Sequence, residues 1–391
     1  MYHLVIVGGG FAGFWSAMSA VRQARALQVS NQLKITLISK DPYHTIRPRL
    51  YEADLSDVRI MLSDYCEPLG ITLIVDEVID IDTERSQLVL KHQNTRISYH
   101  ALILASGSQL TTSTIRGENQ GFSIDTFEDA LKLETHLKML FREKNALEST
   151  RHVVVVGGGV TGIELITALP ERINAFCDSP AKITLHLVDS REVLAEDFSE
   201  EARTYILKRL EDCSVVLHLS EQVDSVENGQ IELSSGKIVE SQTIIWACGL
   251  QASPLTKSMN SQLDEHGRLE VDDFLRSKEI SNVFVAGDAA KAKVDKTHYA
   301  LMSCQHAIPQ GKYAGHNAVS LLFGKVMKAY RQQKYVTCVD LGEENAIFTS
   351  GWQRQLEMTG DDAKNLKVQI TTRWIYPSED ILQTLELSEP E

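Results

Sequence analysis

The chain has 391 residues, of which 43% are hydrophobic and 24% are charged, and its formal net charge is −14 at pH 7. This length predicts two or three domains, and the composition with six scattered cysteines predicts a soluble, cytoplasmic protein. The acidic balance excludes a nucleic-acid-binding surface, no apolar run reaches the roughly eighteen residues of a membrane span, and the cysteines form no Cys-x-x-Cys metal site.

The first predicted unit is a strand, a glycine turn and a helix. An apolar run covers residues 3–7, and a helix is predicted from Phe11 to about Leu27. The turn between them has the spacing Gly8-x-Gly10-x-x-Gly13. In such a turn the first glycine permits a tight bend, the second lets the backbone approach a pyrophosphate, and the third allows close helix packing. The free N–H groups of the helix N-terminus then favour phosphate.

Three further stretches complete this unit. A strand is predicted over 33–39, an antiparallel meander over 71–90, and an apolar strand over 101–107. In a dinucleotide-binding fold, an acid at the end of the second strand holds the ribose hydroxyls. Here that strand ends at Ser39 and is followed by Lys40, so a serine hydroxyl takes this place.

The second unit repeats the first. A strand and the turn Gly157-x-Gly159-x-x-Gly162 lead into a helix over about 160–169, a strand over 182–189, a meander over 215–239 and a strand over 243–249. One glycine motif is a weak signal, because such turns also join strands to helices without a ligand. Two copies in matching context favour two dinucleotide sites. We therefore predict an α/β fold with two Rossmann-like, three-layer ββα domains.

Asp189 ends the second strand of the second unit. A carboxylate there binds ribose hydroxyls and repels a 2′-phosphate, which predicts NADH rather than NADPH. Arg191, two residues on, would soften that preference. The alternative interpretation of Asp189 is an exposed acid at a strand end without a ligand.

The last third of the chain adds new elements. A buried strand over 282–290 contains Gly287-Asp288, and a helical stretch covers 303–324. A linker over 325–334 leads to strand-like residues 335–360. A final helix is predicted up to about Trp374, with a break at Pro377.

In this order, the motifs resemble those of two-dinucleotide flavoproteins of the glutathione-reductase-like superfamily. In that superfamily the first fold holds FAD, the second holds NAD(P)H, and the FAD domain is split around the NAD domain. The resemblance implies an FAD domain made of 1–112 and 265–324, an NADH domain at 113–264, and a small C-terminal α+β domain at 325–391. It also implies that Asp288 binds the ribityl chain of FAD.

The stretch over residues 41–57 narrows the resemblance. Disulfide reductases of the superfamily carry a redox cysteine pair in this region, whereas this stretch has no cysteine, which excludes that activity. It instead resembles the loop of type II NADH dehydrogenases that passes beside the isoalloxazine, where Arg47 and Pro48 lie. Arg47 would hold the flavin or an acceptor anion, or bridge surface acids.

The second glycine motif, GGGVTGIE, also resembles that family. Its glutamate, Glu164 here, projects toward the nicotinamide and the flavin. Burial would raise the pKa of such a carboxylate and let it manage protons around the reduced flavin. The alternative is an early-helix acid stabilised by the helix dipole.

The stretch 303–311 is similar to the Ala-Gln-x-Ala-x-x-Gln-Gly motif that begins a helix near the flavin and lines the quinone pocket of that family. Gln305 would face flavin and quinone, Cys304 replaces the usual alanine, and Ser303 is a predicted N-cap. Pro309 fits the helix only in its first turn or at a kink. We expect Cys304 to be a packed thiol beside a partly exposed His306 rather than a nucleophile.

The resemblance implies two sets of cofactor-binding residues, with Glu164 and Gln305 as the catalytic pair. The expected FAD contacts are Gly8, Gly10, Phe11, Ala12, Gly13, Ser39, Lys40, Arg47, Pro48, Ala105, Ser106, Gly107, Gly287, Asp288, Cys304 and Gln305. The expected NADH contacts are Gly157, Gly159, Val160, Thr161, Gly162, Glu164, Asp189, Cys248 and Gly249.

The implied activity is an FAD-dependent NADH oxidoreductase that passes hydride from NADH to FAD N5 and electrons to a quinone-type or other small acceptor. Alternatives are an NAD(P)H-dependent ferredoxin-type reductase, disfavoured by the acidic surface, an apoptosis-inducing-factor-like NADH sensor and, more weakly, sulfide oxidation. Type II dehydrogenases end in amphipathic membrane helices, whereas segment 325–391 contains predicted strands. Its role as an active-site cap, a homodimer interface or a peripheral contact with the cytoplasmic face of the membrane stays open.

Overall fold

The computed structural model describes residues 1–92, 95–110, 115–142, 151–177, 182–332 and 334–391. The helices in these ranges are α1 (Phe11–Ala26), α2 (Ser63–Cys66), α3 (Phe127–Arg142), α4 (Val160–Asn174), α5 (Glu200–Asp212), α6 (Cys304–Leu322), α7 (Gly360–Gln369) and α8 (Ile381–Leu387). A π-helical turn, Ile370–Trp374, continues α7 and stops before Pro377, as predicted.

The first sheet has five parallel strands. In spatial order they are Val283–Val285, Ala101–Leu104, Tyr2–Val7, Leu33–Ser39 and Thr72–Val75. The edge strand Val283–Val285 follows the whole second unit in sequence, as expected for a domain that is interrupted by another domain. Helices α1 and α6 pack against each other closely, because an added Cβ at Gly311 or Gly315 would collide with backbone oxygens of α1. The exact domain boundaries stay a prediction.

The second sheet repeats this parallel order. Its strands are Phe122–Ser123, Thr243–Trp246, His152–Val156, Thr184–Asp189 and Val215–Leu219. One face packs on α3, α4 and α5, and the other face packs on an antiparallel meander of Val223–Glu227, Gln230–Leu233 and Ile238–Glu240. The first unit has the corresponding meander of Val78–Asp82, Gln87–Leu90 and Arg96–Ser98. The predicted three-layer ββα architecture is confirmed.

Both meanders begin later than predicted. Residues 72–75 and 215–219 belong to the parallel sheets, and the antiparallel strands start at Val78 and Val223. The prediction was wrong there because a short apolar run has the same pattern in either kind of sheet. The predicted strands over 101–107 and 243–249 end at Leu104 and Trp246, since the following residues leave the sheet at its carboxyl edge.

Two prolines lie inside helices. Helix α4 continues to Asn174, past Pro170, although the sequence predicted an end near Leu169. Buried Arg172 holds its last turn by donating to the Tyr51 carbonyl at 2.6 Å. Pro309 lies in the second turn of α6, and the Gln305 carbonyl that it leaves without an N–H accepts from Gln332 Nε2 at 3.0 Å. The loss of a helical hydrogen bond is therefore compensated.

The C-terminal segment forms a separate antiparallel sheet of Val336–Asp340, Ala346–Ser350 and Gln355–Thr359, with α7 packed beside it. The small α+β domain predicted for 325–391 is thereby confirmed as an architecture. Within the described ranges, no helix is long and apolar enough to cross a bilayer.

Candidate functional site

The three glycines of each motif occupy three different environments. Gly8 has φ +112°, and an added Cβ there would collide with the Ala105 carbonyl. An added Cβ at Gly13 would collide with the Gly8 carbonyl, whereas nothing lies within 4 Å of an added Cβ at Gly10. The first and third glycines therefore shape the turn, and the space beside the second is open for a ligand.

The second motif has the same arrangement. Gly157 has φ +114° and packs on Cys248, Gly162 packs on the Gly157 carbonyl, and nothing lies within 4 Å of an added Cβ at Gly159. Helix α4 begins directly after this open position, at Val160 and Thr161. Two open backbone cradles at helix N-termini are what two pyrophosphate groups require.

The elements expected to hold FAD converge around the first cradle. An added Cβ at Gly287 would lie 2.9 Å from the Ala12 Cβ and 3.5 Å from the Ala307 Cβ, so the start of α1, the start of α6 and the Asp288 turn meet there. Ser106 and Ser303 carry buried hydroxyls without a hydrogen-bond partner in the described part of the chain. These unpaired groups and the open cradle fit a bound dinucleotide.

Ser303 lies at the N-cap of α6, as predicted, but its side chain makes no capping hydrogen bond. Ser39 is buried beside Gly9, whereas Lys40 is exposed. Gly107 and Gly249 both have positive φ, 67° and 78°, where the two strand ends turn toward the cradles. The assignment of these residues to the cofactors stays a prediction.

Asp189 is only 7% exposed, so its interpretation as an exposed acid is wrong. Its Oδ2 accepts from the Gly158 N–H at 2.5 Å, and both of its oxygens accept from the Arg191 guanidinium at 2.8 and 2.9 Å. Burial alone would raise the pKa of Asp189, but the Arg191 and backbone hydrogen bonds lower it. The carboxylate is therefore ionised and oriented at the edge of the second cradle.

Arg47 joins the two units in a charged cluster. It forms an ion pair with Asp125, and its Nη1 donates to Ser108 Oγ at 2.8 Å. Ser108 Oγ in turn donates to Asp288 Oδ2 at 2.6 Å. Burial raises the pKa of Asp288, and Ser108 and Arg47 oppose that shift. Pro48 fixes the 3-10 turn that aims Arg47 at these largely buried acids.

Glu164 forms a buried ion pair with Lys367 of α7. Lys367 Nζ lies 2.5 Å from Glu164 Oε1, and the Asp340 N–H donates to the same oxygen at 3.0 Å. Burial raises the pKa of Glu164, against the attraction of Lys367. Burial favours the neutral amine of Lys367, but Glu164 outweighs it and raises that pKa. The early-helix acid predicted as an alternative is thus a partner in a buried pair.

The charges of Lys367, from the C-terminal domain, and of Asp288, from the first unit, both act on Cys304. Burial raises the pKa of its thiol to about 11, with Lys367 lowering it and Asp288 raising it. The thiol is therefore neutral, in agreement with the predicted packed role. No hydrogen bond joins Cys304 to His306 among the described contacts, and His306 is 1% exposed rather than partly exposed, with its Nδ1 2.9 Å from Gln332 Oε1.

The Gln305 amide is bound to the C-terminal sheet. Its Nε2 donates to the Val336 carbonyl at 3.0 Å, and its Oε1 accepts from the Val336 N–H at 3.4 Å. The side chain therefore fixes α6 to the C-terminal domain, and its predicted catalytic role remains a prediction. His44, in the stretch over residues 41–57, is fully buried and stacks on Phe14.

Sequence reasoning missed several residues of this site. In the sequence, Lys367 is one lysine of a predicted helix that carries both charged and apolar residues. It lies 203 positions from its partner Glu164. Asp125 lies in no recognised motif, and Asp340 ends a strand of the C-terminal sheet, outside both glycine-motif units. No local signal could have found them, because each is defined by a contact between distant segments.

Comparison with known proteins gives the context of this geometry. A sequence model of the pyridine nucleotide-disulphide oxidoreductase family matches residues 2–311. An NADH dehydrogenase-like protein of Mycobacterium tuberculosis is 38% identical over 381 residues, 96% of this chain and 95% of that protein. The type II NADH:quinone oxidoreductase of Staphylococcus haemolyticus is 24% identical over 391 residues, 95% of each chain.

Among solved structures, NDH2 from Plasmodium falciparum in complex with NADH is similar, with a TM-score of 0.80 and 14% identity over 99% of this chain and 97% of that one. This likeness supports the fold. The family match confirms the predicted resemblance and the prediction of a flavin- and pyridine-nucleotide-dependent oxidoreductase.

Proposed function

The chain belongs to the pyridine nucleotide-disulphide oxidoreductase family, and we propose that it is an FAD-dependent NADH oxidoreductase that passes electrons to a quinone. The observation that carries the proposal is the buried Glu164–Lys367 pair. It joins the NADH-side helix α4 to the C-terminal domain, within electrostatic reach of Cys304 on the FAD side.

Bound FAD would supply the two-electron chemistry between the dinucleotide and the acceptor. The residues of this chain would bind, orient and move protons around it. The cradle at Gly10 and the N-terminus of α1 would hold the FAD pyrophosphate, and Asp288 would orient the ribityl hydroxyls. The cradle at Gly159 would hold NADH, with Asp189 on the adenosine ribose.

A quinone needs protons as well as electrons. Glu164 and Lys367 share a buried, short contact, and the pKa of each is raised, so the pair retains a proton near neutral pH. In the proposed reaction this proton would pass to the reduced acceptor, and the pair would then regain a proton from solvent. Tyr51, whose hydroxyl donates to Asp340 at 2.9 Å, closes this polar cluster on its other side.

The stretch over residues 41–57, where disulfide reductases of the superfamily carry their redox pair, has no cysteine. This supports a diffusible acceptor over a disulfide substrate. A membrane quinone as acceptor would require the protein to act at a membrane surface. Peripheral membrane contact and a homodimer remain predictions.

Steady-state turnover tests the proposal. We expect rapid NADH oxidation with a short-chain quinone and much slower oxidation with dioxygen alone. Glu164→Gln should reduce the quinone-dependent kcat about a hundredfold or more, the usual range for loss of a general acid–base group. Glu171→Gln, an exposed acid of the same helix, is the matched control. Absence of quinone-dependent turnover contradicts the acceptor, and an unchanged kcat in Glu164→Gln contradicts the role of that residue.

A further inference from the structure

The C-terminal domain contacts the second unit on both sides of its glycine cradle. On one side, Lys367 reaches Glu164 of α4, the helix that begins at the cradle. On the other side, Arg354 reaches the segment 190–199, which follows the strand that ends at Asp189. No sequence motif predicted the contact of Arg354 with this segment.

Several contacts hold the Arg354 side chain against that segment. Its side chain is 10% exposed, its Nη1 lies 2.8 Å from Asp197 Oδ2, and its Nη2 donates to the Tyr335 hydroxyl at 3.0 Å. The guanidinium lies 4.4 Å from the ring centroid of Phe198. The residue has φ +46°, a conformation that costs energy for a non-glycine residue. The surrounding contacts stabilise that conformation.

The segment held by Arg354 forms one wall of the NADH cradle. Leu194 is buried, and an added Cβ at Gly158 would collide with it. Arg191, at the start of the segment, binds both oxygens of Asp189. Ala195 also has positive φ, 53°, and its carbonyl accepts from the Phe198 N–H at 3.0 Å. A change in the path of the segment would therefore move both Leu194 and Arg191.

Beyond Arg354 the same interface is open. A cavity of about 630 Å³ lies between α5 and the last strand of the C-terminal sheet, lined among others by Tyr205, Lys208 and Met358. At this interface Arg354 contacts segment 190–199 through Asp197 and Phe198.

We propose that Arg354 is a positioning residue for NADH: from the C-terminal domain it holds segment 190–199 so that Leu194 and Arg191 form the adenosine side of the NADH site. This inference rests on the proposed function, since it assumes that the second cradle binds NADH. It gives the C-terminal domain a role in dinucleotide affinity in addition to its contact with Glu164.

Rapid-reaction kinetics of the FAD-loaded protein test the inference. The dependence of the flavin reduction rate on NADH concentration gives an apparent Kd and a limiting rate. Arg354→Gln should raise the apparent Kd about tenfold, the equivalent of one charge-assisted hydrogen bond, and change the limiting rate less than twofold. The FAD content should stay equal to that of the wild type.

A second pair of variants separates positioning from folding. Asp197→Asn removes the partner of Arg354 at a half-exposed site, and we expect a roughly threefold to tenfold higher Kd without loss of thermal stability. Glu196→Gln is the matched control, because Glu196 is an exposed acid of the same segment that also acts on the charge of Arg191. Its apparent Kd should equal that of the wild type.

The outcomes are distinguishable. If NADH does not reduce the flavin of the wild type, the proposed function fails. If the wild type is reduced and Asp197→Asn has the same Kd as Glu196→Gln, the inference is wrong. A fall in FAD content and stability in Arg354→Gln, with an unchanged Kd in Asp197→Asn, also contradicts it, because that result indicates a structural role alone.

Discussion

Removal of Lys367 should expose the cost of the buried Glu164 carboxylate. The side chains of Glu164 and Lys367 are 7% and 8% exposed, and the distance between Lys367 Nζ and Glu164 Oε1 is 2.5 Å. Deleting one partner of such a pair typically costs about 3–5 kcal/mol of unfolding free energy. The Asp340 N–H still donates to Glu164 in Lys367→Met, so we expect about 3 kcal/mol at pH 8.

The loss should depend on pH in a defined direction. Without Lys367, burial leaves the pKa of Glu164 above its value in the unfolded chain. A group with a raised folded pKa contributes stability that is present at low pH and is lost as the pH rises through that pKa. The destabilisation of Lys367→Met relative to the wild type should therefore be small near pH 5 and largest near pH 8.

Urea denaturation followed by circular dichroism at both pH values measures this effect. Glu164→Gln/Lys367→Met should recover at least half of the loss, because a neutral pair avoids the isolated charge. Lys364→Met is the control, since Lys364 binds Asp340 at a more exposed position of the same helix and should lose at most about 1 kcal/mol. A loss below about 1 kcal/mol at pH 8, or a double variant less stable than Lys367→Met, would refute the reasoning.

Three further outcomes are expected. Gly159→Ala should keep the wild-type melting temperature but weaken NADH binding at least tenfold in a fluorescence titration, because its Cβ enters only the ligand space. Gly162→Ala should lose stability, because its Cβ collides with the Gly157 carbonyl. Equal effects of the two variants would contradict the assignment of this turn to a ligand. Asp189→Asn should lower the ratio of kcat/KM for NADH over NADPH at least tenfold, and an unchanged ratio would remove Asp189 from nucleotide selection. Burial lowers the pKa of His44 to about 4, so the contribution of its neutral imidazole to stability is complete above pH 6.5 and is lost as the pH falls toward 4. The unfolding free energy of His44→Gln should therefore fall less steeply with acid than that of the wild type, and an identical pH dependence would contradict this assignment.

Much of the fold could be predicted because it is encoded locally. The strand Leu33–Ser39 and the helix over Phe11–Ala26 follow directly from apolar runs and glycine turns, and the repeat of the motif revealed the second unit. The close approach of Gly13 to the Gly8 carbonyl is local to the motif, whereas the contact of Gly8 with the Ala105 carbonyl involves a distant strand. The continuation of α4 past Pro170 could not be predicted, because it depends on contacts that Arg172 makes with distant residues.

The site was predictable only in part, for the same reason. Asp189 ends its strand and Asp288 lies in the turn that follows another strand, so sequence motifs point to both residues. The partners of Glu164 and Gln305 come from the C-terminal domain, whose pattern of short strands carries no signal for the residues it contacts. The amide of Gln305, which was predicted to face flavin and quinone, is hydrogen-bonded to the backbone of Val336, and this contact could not be predicted from the motif.

The most direct test of the central claim is an anaerobic titration of the FAD-loaded protein with NADH, followed by addition of a short-chain quinone, with the visible flavin band as the signal. The account predicts rapid bleaching by NADH and rapid return of the band on quinone addition. Bleaching without return would contradict the quinone as acceptor. Absence of bleaching would contradict the claim that the two cradles serve one reaction.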